Sequence, residues 1–180
     1  LIYYMFSDRH RQKPDPDRRY DRIYIGGDYG QQNATTFEAF GLDTYRKKFP
    51  GLGEYYHSGR ESGRQKSPSE YAKDLVEFMD ELHEQYENRI FYIFLDPSAK
   101  GLAEEARRAT RTGLDYQVFL RDAENDVALG ISRVQKALVF DIMSISPKQE
   151  YAVQEFGTYE YDKKSIEKGK EVPVKEADHC

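Results

Sequence analysis

Two aspartates, Asp28 and Asp96, each come directly after an apolar run of the sequence. Asp28 ends the stretch "IYIGGD" and Asp96 ends "FYIFLD". If the two runs form neighbouring strands of one sheet, their carboxylates meet at one edge, where close anions repel each other unless a cation lies between them. Carboxylate oxygens are hard ligands that favour Mg²⁺ or Mn²⁺. The pattern therefore predicts a divalent metal site.

Each aspartate alone also has a simpler explanation. Asp28 could start a turn, and Asp96 could cap a helix, because Asp before Pro is common where a strand leads into a helix. The two residues together favour the metal site over two unrelated turns. The glycines of "GDYG" around Asp28 support it, since they let a ligand approach the backbone closely.

A third metal ligand is expected from a distant part of the chain. The candidates are Asp178 and His179 in "VKEADHC". A histidine alone is more commonly a surface or capping residue, but His179 follows Asp178 directly. The candidate catalytic residues are therefore Asp28, Asp96, Asp178 and His179, with the three aspartates as metal ligands.

The elements that position these residues can be predicted from the periodicity of apolar side chains. Residues 23–27 and 34–40 are typical of two strands joined by the turn "GQQN", and residues 90–95 of a buried central strand. "SPSE" indicates a helix start, with Ser67 as N-cap and Glu70 completing a capping box. Further elements are predicted as short strands at residues 2–6, 116–120 and 139–142, and as helices at residues 98–112, 123–138 and 147–156.

The order of these elements favours the α/β class, with a mixed central β-sheet flanked by α-helices on both faces. Residues 51–66 are expected to form a short strand and then a mobile polar loop, and residues 157–174 a polar hairpin. We assign residues 1–20 to an N-terminal strand and charged linker from an upstream domain. Residues 21–180 form the main domain.

Composition limits the classes of protein to consider. The chain has 180 residues, 38% of them hydrophobic and 33% charged, which suits one folded domain. A single cysteine gives no internal disulfide, and the apolar runs are too short to span a membrane. The formal net charge of -5 argues weakly against a nucleic-acid partner. However, residues 68–87 hold an acidic cluster that leaves other surfaces free for basic patches: Glu70, Asp74, Glu77, Asp80, Glu81, Glu84 and Glu87.

The ordered motifs resemble the nuclease domain of the large terminase subunit of tailed bacteriophages, the motor that packages DNA and cuts its concatemers. The matching pieces are "GGDYGQQNATTF", "FYIFLDPSAKGLAEEAR", "NDVALGISRVQKAL" and "EVPVKEADHC". The resemblance covers nearly all of the chain from about Tyr20 onward. It implies an RNase H-like fold and an acidic cluster that binds two divalent ions, Mg²⁺ or Mn²⁺, with Asp28 and Asp96 as the first two ligands.

The sequence departs from that family at its end. In the family the last motif continues past an Asp-His pair into a helix with another aspartate, whereas this sequence stops at Cys180. The resemblance therefore implies that residues 21–180 are truncated at the C-terminal helix of the domain, and that the third ligand is Asp178, His179 or a residue beyond this sequence. The family's ATPase motor would precede this domain, and no "GxxxxGK[ST]" phosphate loop occurs here.

The resemblance also implies partners and a location. The substrate would be concatemeric double-stranded DNA, cut with little sequence preference. The terminase small subunit and the portal would be partners of the full-length protein, and the host cell cytoplasm its location. The isolated domain is expected to be a monomer with no membrane association. Candidate DNA-binding residues, which could also be ordinary solvated charges, are Arg60, Arg64, Lys66, Lys163, Lys164 and Lys168.

Two other classes of function remain open. An ATP-dependent sugar or acetate kinase fragment shares a related strand order, and Asp28, Gly30 and Thr35 loosely fit its phosphate turn. No second "DxGxG" turn occurs, however. The third possibility is an inactive RNase H-like docking module that uses the acidic surface of residues 68–87.

Overall fold

The computed structural model describes residues 1–160 and 173, and within them a mixed sheet forms the centre of the molecule. The sheet has six strands in the order β5-β4-β1-β2-β3-β6. β1, β2 and β3 are antiparallel neighbours, whereas β1, β4 and β5 run parallel, as do β3 and β6. The strands are β1 (Arg22–Asp28), β2 (Ala34–Leu42), β3 (Phe49–Ser58), β4 (Ile90–Leu95), β5 (Gln117–Asp122) and β6 (Met143–Ser144).

Five α-helices accompany the sheet in the described part of the chain, and a 3₁₀ turn at Asp8–His10 precedes it. They are α1 (Gly59–Ser62), α2 (Pro68–Tyr86), α3 (Lys100–Thr110), α4 (Val127–Val139) and α5 (Glu150–Thr158). The predicted start of α2 is confirmed, because the Ser67 hydroxyl accepts from the Glu70 backbone N–H while the Glu70 carboxylate accepts from the Ser67 N–H. The mixed sheet with flanking helices also confirms the predicted fold class.

One face of the sheet carries the main hydrophobic core. Ile23 and Ile25 of β1 and Ile93 of β4 point to this face and are fully buried. They pack against the apolar sides of α2 and α3, including Leu75 and Leu102. The acidic side chains of α2 consequently lie on the opposite side of that helix, as its periodicity predicts.

The other face is covered by α4, α5 and the start of the chain. A second cluster contains Leu138, Ile145 and Ala152, with residues 3, 5 and 6 packed against it. Ile2 is fully buried, and its backbone N–H donates to the Tyr159 carbonyl. Residues 2–5 form turns and residue 6 lies in no strand, so the strand predicted at residues 2–6 is wrong. The first residues of the chain thus pack onto the same body as the sheet, and the boundary assigned at residue 20 stays a prediction.

The predicted strand at residues 139–142 is also wrong. Val139 is the last residue of α4, and the chain then turns through Asp141 with φ of 52°, in the left-handed region. Phe140 and Ile142 are exposed, so this apolar run lacks the burial that would make it a strand. β6 begins only at Met143.

The close packing of β1 against β4 depends on Gly27. A Cβ at this position would lie 2.5 Å from Leu95 Cδ2 and 3.1 Å from Phe37 Cδ1. We expect Gly27→Ala to lower the free energy of unfolding by about 1–3 kcal/mol, because the core must shift to admit the methyl group. Urea denaturation measures this change.

The neighbouring Gly26 is the matched control, since a Cβ there would have no heavy atom within 4 Å. Gly26→Ala should leave stability nearly unchanged or raise it slightly, because alanine loses less backbone entropy on folding. Equal destabilisation by the two substitutions would contradict this account of the packing.

Candidate functional site

The carboxylates of Asp28 and Asp96 come from adjacent parallel strands. Gly27 of β1 is paired with Leu95 of β4, and each aspartate is the next residue along its chain. Neighbouring strands lie about 4.8 Å apart. The structure therefore brings the two candidate ligands to the same edge of the sheet, as the sequence predicts.

Asp96 is held in a turn that favours its charged form. Its Oδ1 accepts from the Ser98 backbone N–H at 2.8 Å, and its carbonyl accepts from the Ala99 N–H. The hydrogen bonds that the carboxylate receives from the Ser98 side chain and from the Ser98 backbone N–H hold the pKa of the Asp96 carboxyl below its usual range. A carboxylate that stays ionised in this way is a ready ligand for a divalent cation.

Several loops gather at this edge of the sheet. The turn at residues 29–33 joins β1 to β2. Ala34, the first residue of β2, is paired with Ser58, the last residue of β3. The segment from α1 to the start of α2 therefore lies at the same edge as Asp28. In the turn, the Gly30 N–H donates to the Thr35 hydroxyl, which donates to the Gly30 carbonyl. These groups thus close the turn, rather than standing open for a phosphate as the kinase hypothesis needs.

A cavity of about 590 Å³ lies beside Asp28, between the second face of the sheet and the α4–α5 side. Its lining is mostly apolar and aromatic, with Tyr24 and Phe94 from the sheet and Phe156 from α5. The wall also includes the acidic residue Glu38. The candidate site therefore has a hydrophobic wall on one side and a solvent-facing edge on the other.

Two acidic residues near this cavity, Glu38 and Glu54, were missed by the sequence analysis. They are paired across β2 and β3. Glu38 is 7% exposed and accepts from the Gln149 side-chain amide at 3.0 Å. Glu54 accepts from the backbone N–H groups of Tyr151 and Ala152 at 3.1 and 3.0 Å. Glu38 could have been noticed because it interrupts the apolar run "ATTFEAF".

Glu54 of β3 caps the N-terminal end of α5, although the two are far apart in the sequence. The residue at the N-cap position, Gln149, makes no capping hydrogen bond with its own side chain. The first N–H groups of a helix lack partners within the helix and attract negative charge. The carboxylate of Glu54 thus fixes the start of the helix that forms part of the cavity wall.

The oxygen ligands that the structure describes at this edge of the sheet suit a hard cation. Asp28 and Asp96 supply oxygen ligands of the kind that Mg²⁺ and Mn²⁺ prefer. Within residues 1–160 and 173, no group of three or more His, Cys, Asp or Glu side chains is arranged to hold a metal ion. The candidate third ligands, Asp178 and His179, lie outside the described residues, so that part of the hypothesis stays a prediction.

The candidate DNA-binding residues have different surroundings. Arg60 is exposed in α1, at the edge that carries Asp28. Arg64 forms an ion pair with Glu70, and the Lys66 Nζ lies 2.5 Å from Asp74 Oδ2. The remaining candidates lie outside the described residues: Lys163, Lys164 and Lys168.

Comparison with solved structures gives consistent matches. The chain is 32% identical to a large terminase from a thermophilic bacteriophage, with a TM-score of 0.84, over 99% of this chain and 42% of that one. The nuclease domain of the P22 large terminase matches 99% of this chain and 85% of its own length, at 14% identity and a TM-score of 0.71. A Mn-soaked human cytomegalovirus terminase nuclease domain matches 82% of each chain, at 13% identity and a TM-score of 0.63.

The matches to the P22 and cytomegalovirus domains show a shared fold, which confirms the expected RNase H-like class. This chain spans less than half the length of the thermophilic phage terminase. No protein-family model matches the sequence, and a search of curated proteins finds no match. Among the described residues, no helix combines the length and the apolar character needed to cross a membrane.

The distant cap on α5 gives a testable effect on stability. We expect Glu54→Ala to lower the free energy of unfolding by about 1–2 kcal/mol, because two helix N–H groups lose their acceptor. Urea denaturation measures the loss. Glu54→Gln should cost less, since the amide oxygen can still accept one of the two hydrogen bonds.

The exposed acid Glu84 of α2 provides the control. Glu84→Ala should change stability by no more than about 0.5 kcal/mol, as is usual for surface substitutions. An equal effect of Glu54→Ala and Glu84→Ala would contradict the capping role.

Proposed function

We propose that this chain, which is similar in sequence and structure to part of a phage large terminase and has the fold of terminase nuclease domains, is a metal-dependent DNA endonuclease. The observation that carries the proposal is the pairing of β1 with β4. It brings Asp28 and Asp96 to one edge of the sheet from positions far apart in the sequence. The match to the thermophilic phage terminase, which covers 99% of this chain, supports the same assignment.

Asp28 and Asp96 would hold the metal ions, together with Asp178 or His179. When bound, a pair of Mg²⁺ or Mn²⁺ ions supplies an activated water and stabilises the leaving oxygen of a phosphodiester. The surrounding residues would keep the metal-binding carboxylates ionised and close together. The Asp96 turn does so through its hydrogen bonds from Ser98, which favour the carboxylate over the acid.

The negative charges of Asp28 and Asp96 explain why a cation must bind before DNA can approach. Two neighbouring carboxylates repel the phosphate backbone as well as each other, and bound divalent ions reverse the local sign of the charge. Arg60 lies at this edge and would contact phosphate. Lys163, Lys164 and Lys168 are proposed as further phosphate contacts. Because phosphate contacts carry no sequence information, cutting should show little sequence preference.

We place this activity within a larger DNA-packaging protein. The large terminase of the thermophilic phage is more than twice as long as this chain. An upstream ATPase motor, the terminase small subunit and the portal are proposed partners of the full-length protein. Concatemeric double-stranded DNA in the host cytoplasm is its proposed substrate, and the isolated domain is proposed to be a monomer.

The direct test is digestion of supercoiled plasmid with Mn²⁺, Mg²⁺ or EDTA. We expect nicking and linearisation that require the metal. Asp28→Asn and Asp96→Asn should each reduce the rate by at least about a hundredfold, because each removes a charged metal ligand while keeping the side-chain shape. The rate is measured from the loss of supercoiled DNA on gels.

Asp21 supplies the matched control, since it is an exposed aspartate directly before β1, at the opposite end of that strand. Asp21→Asn should cut at the wild-type rate. Unchanged cutting by either Asp28→Asn or Asp96→Asn would exclude the proposed mechanism. Cutting that persists in EDTA would do the same.

A further inference from the structure

Three polar side chains from separate elements meet beneath the loop that carries Arg60. Asp74 lies on α2, Tyr55 on β3, and Lys66 directly before the cap of α2. The Tyr55 hydroxyl donates to Asp74 Oδ2 at 2.5 Å, and Lys66 Nζ donates to the same oxygen at 2.5 Å. Lys66 Nζ also lies 3.5 Å from the Tyr55 hydroxyl oxygen and 5.9 Å from the centre of its ring.

The cluster is partly shielded from water, which strengthens its contacts. The Lys66 and Asp74 side chains are 23% and 18% exposed. Hydrogen bonds that involve a charged group are about twice as strong as neutral ones. Burial and the hydrogen bond to Asp74 raise the pKa of Tyr55, so its hydroxyl stays a donor even in mildly alkaline solution. The Tyr55 ring stacks on the fully buried Phe37, with centroids 5.1 Å apart, which ties the cluster to the core.

The cluster lies at the C-terminal end of residues 59–66, the segment between β3 and α2, because Lys66 is the last residue of that segment. Above it, the Ser58 hydroxyl accepts from the Glu61 N–H at 3.2 Å, and the Ser62 hydroxyl donates to the Arg64 carbonyl at 3.1 Å. Gly63 turns the chain in the left-handed region, with φ of 74°. The segment expected to be a mobile loop is therefore hydrogen-bonded along its length.

We propose that Lys66, Asp74 and Tyr55 are positioning residues that hold residues 59–66 at the edge occupied by Asp28 and Asp96. In this role Lys66 neutralises Asp74 and fixes the loop, and it does not contact a DNA phosphate. Arg60, at the start of the loop, is the side chain presented to DNA. The effect on DNA rests on the proposed function, whereas the anchoring of the loop does not.

The two roles of Lys66 predict opposite effects of removing the charge on Asp74. If Lys66 contacts phosphate, Asp74→Asn removes a competing anion and should tighten DNA binding. If Lys66 anchors the loop, Asp74→Asn weakens the anchor and should weaken DNA binding. Lys66→Met, which keeps the length of the side chain, should then have an effect similar to that of Asp74→Asn.

The first measurement is hydrogen exchange of residues 59–66 by mass spectrometry, which needs no DNA. Asp74→Asn and Lys66→Met should each accelerate exchange in this segment roughly tenfold, since losing a charged hydrogen bond favours local opening. Tyr55→Phe should give a smaller acceleration. Glu77→Gln changes an exposed acid one turn further along α2 and should have no effect. Wild-type exchange rates in both Asp74→Asn and Lys66→Met would overturn the anchoring role.

The second measurement is DNA affinity of the 180-residue chain as a function of salt, with Ca²⁺ in place of the catalytic metal. Asp74→Asn and Lys66→Met should each weaken binding about fivefold without changing the salt slope, whereas Arg60→Ala should reduce the slope by about one. Tighter binding by Asp74→Asn, or a reduced slope in Lys66→Met, would overturn the proposal. If the wild type shows no DNA binding, the proposed function fails while hydrogen exchange still decides the anchoring role.

Discussion

Parallel pairing between β1 and β4 is the constraint on which the candidate site depends. Parallel neighbours advance together, so the pairing of Gly27 with Leu95 fixes Asp28 and Asp96 as the next residues on adjacent strands. Gly27 permits this register because its missing side chain leaves room for the Leu95 methyl groups. A shift of one residue would turn the apolar side chains of β1 away from the core, so the buried residues and the site specify the same register.

The ion pairs distinguish the basic residues near this edge of the sheet from one another. Arg64 and Lys66 form ion pairs with Glu70 and Asp74 in the first turns of α2. In the proposed mechanism these contacts hold the loop between β3 and α2 against the helix. Arg60 projects from the start of the same loop. A basic segment that reads as one DNA-binding patch in the sequence thus divides into anchors and a contact residue in the proposed mechanism.

The sequence predicts the parts of this structure that local patterns determine. Local patterns predict the strands at residues 23–27 and 90–95 because each run is apolar or glycine throughout, and the start of α2 because Ser67 and Glu70 can cap each other within one turn. Residues 139–142, "VFDI", are misassigned as a strand because the left-handed turn at Asp141 leaves Phe140 and Ile142 exposed, which periodicity does not reveal. The Glu54 cap on α5 joins residues far apart in the chain, so no local pattern indicates it.

Manganese binding by the protein in the absence of DNA tests the central claim most directly. Electron paramagnetic resonance reports free Mn²⁺, so a titration gives the affinity of each site. If Asp28 and Asp96 share a metal, Asp28→Asn and Asp96→Asn should each weaken the tightest Mn²⁺ site by at least about tenfold, and the double substitution should add little more. Wild-type Mn²⁺ affinity in either single variant would contradict the account.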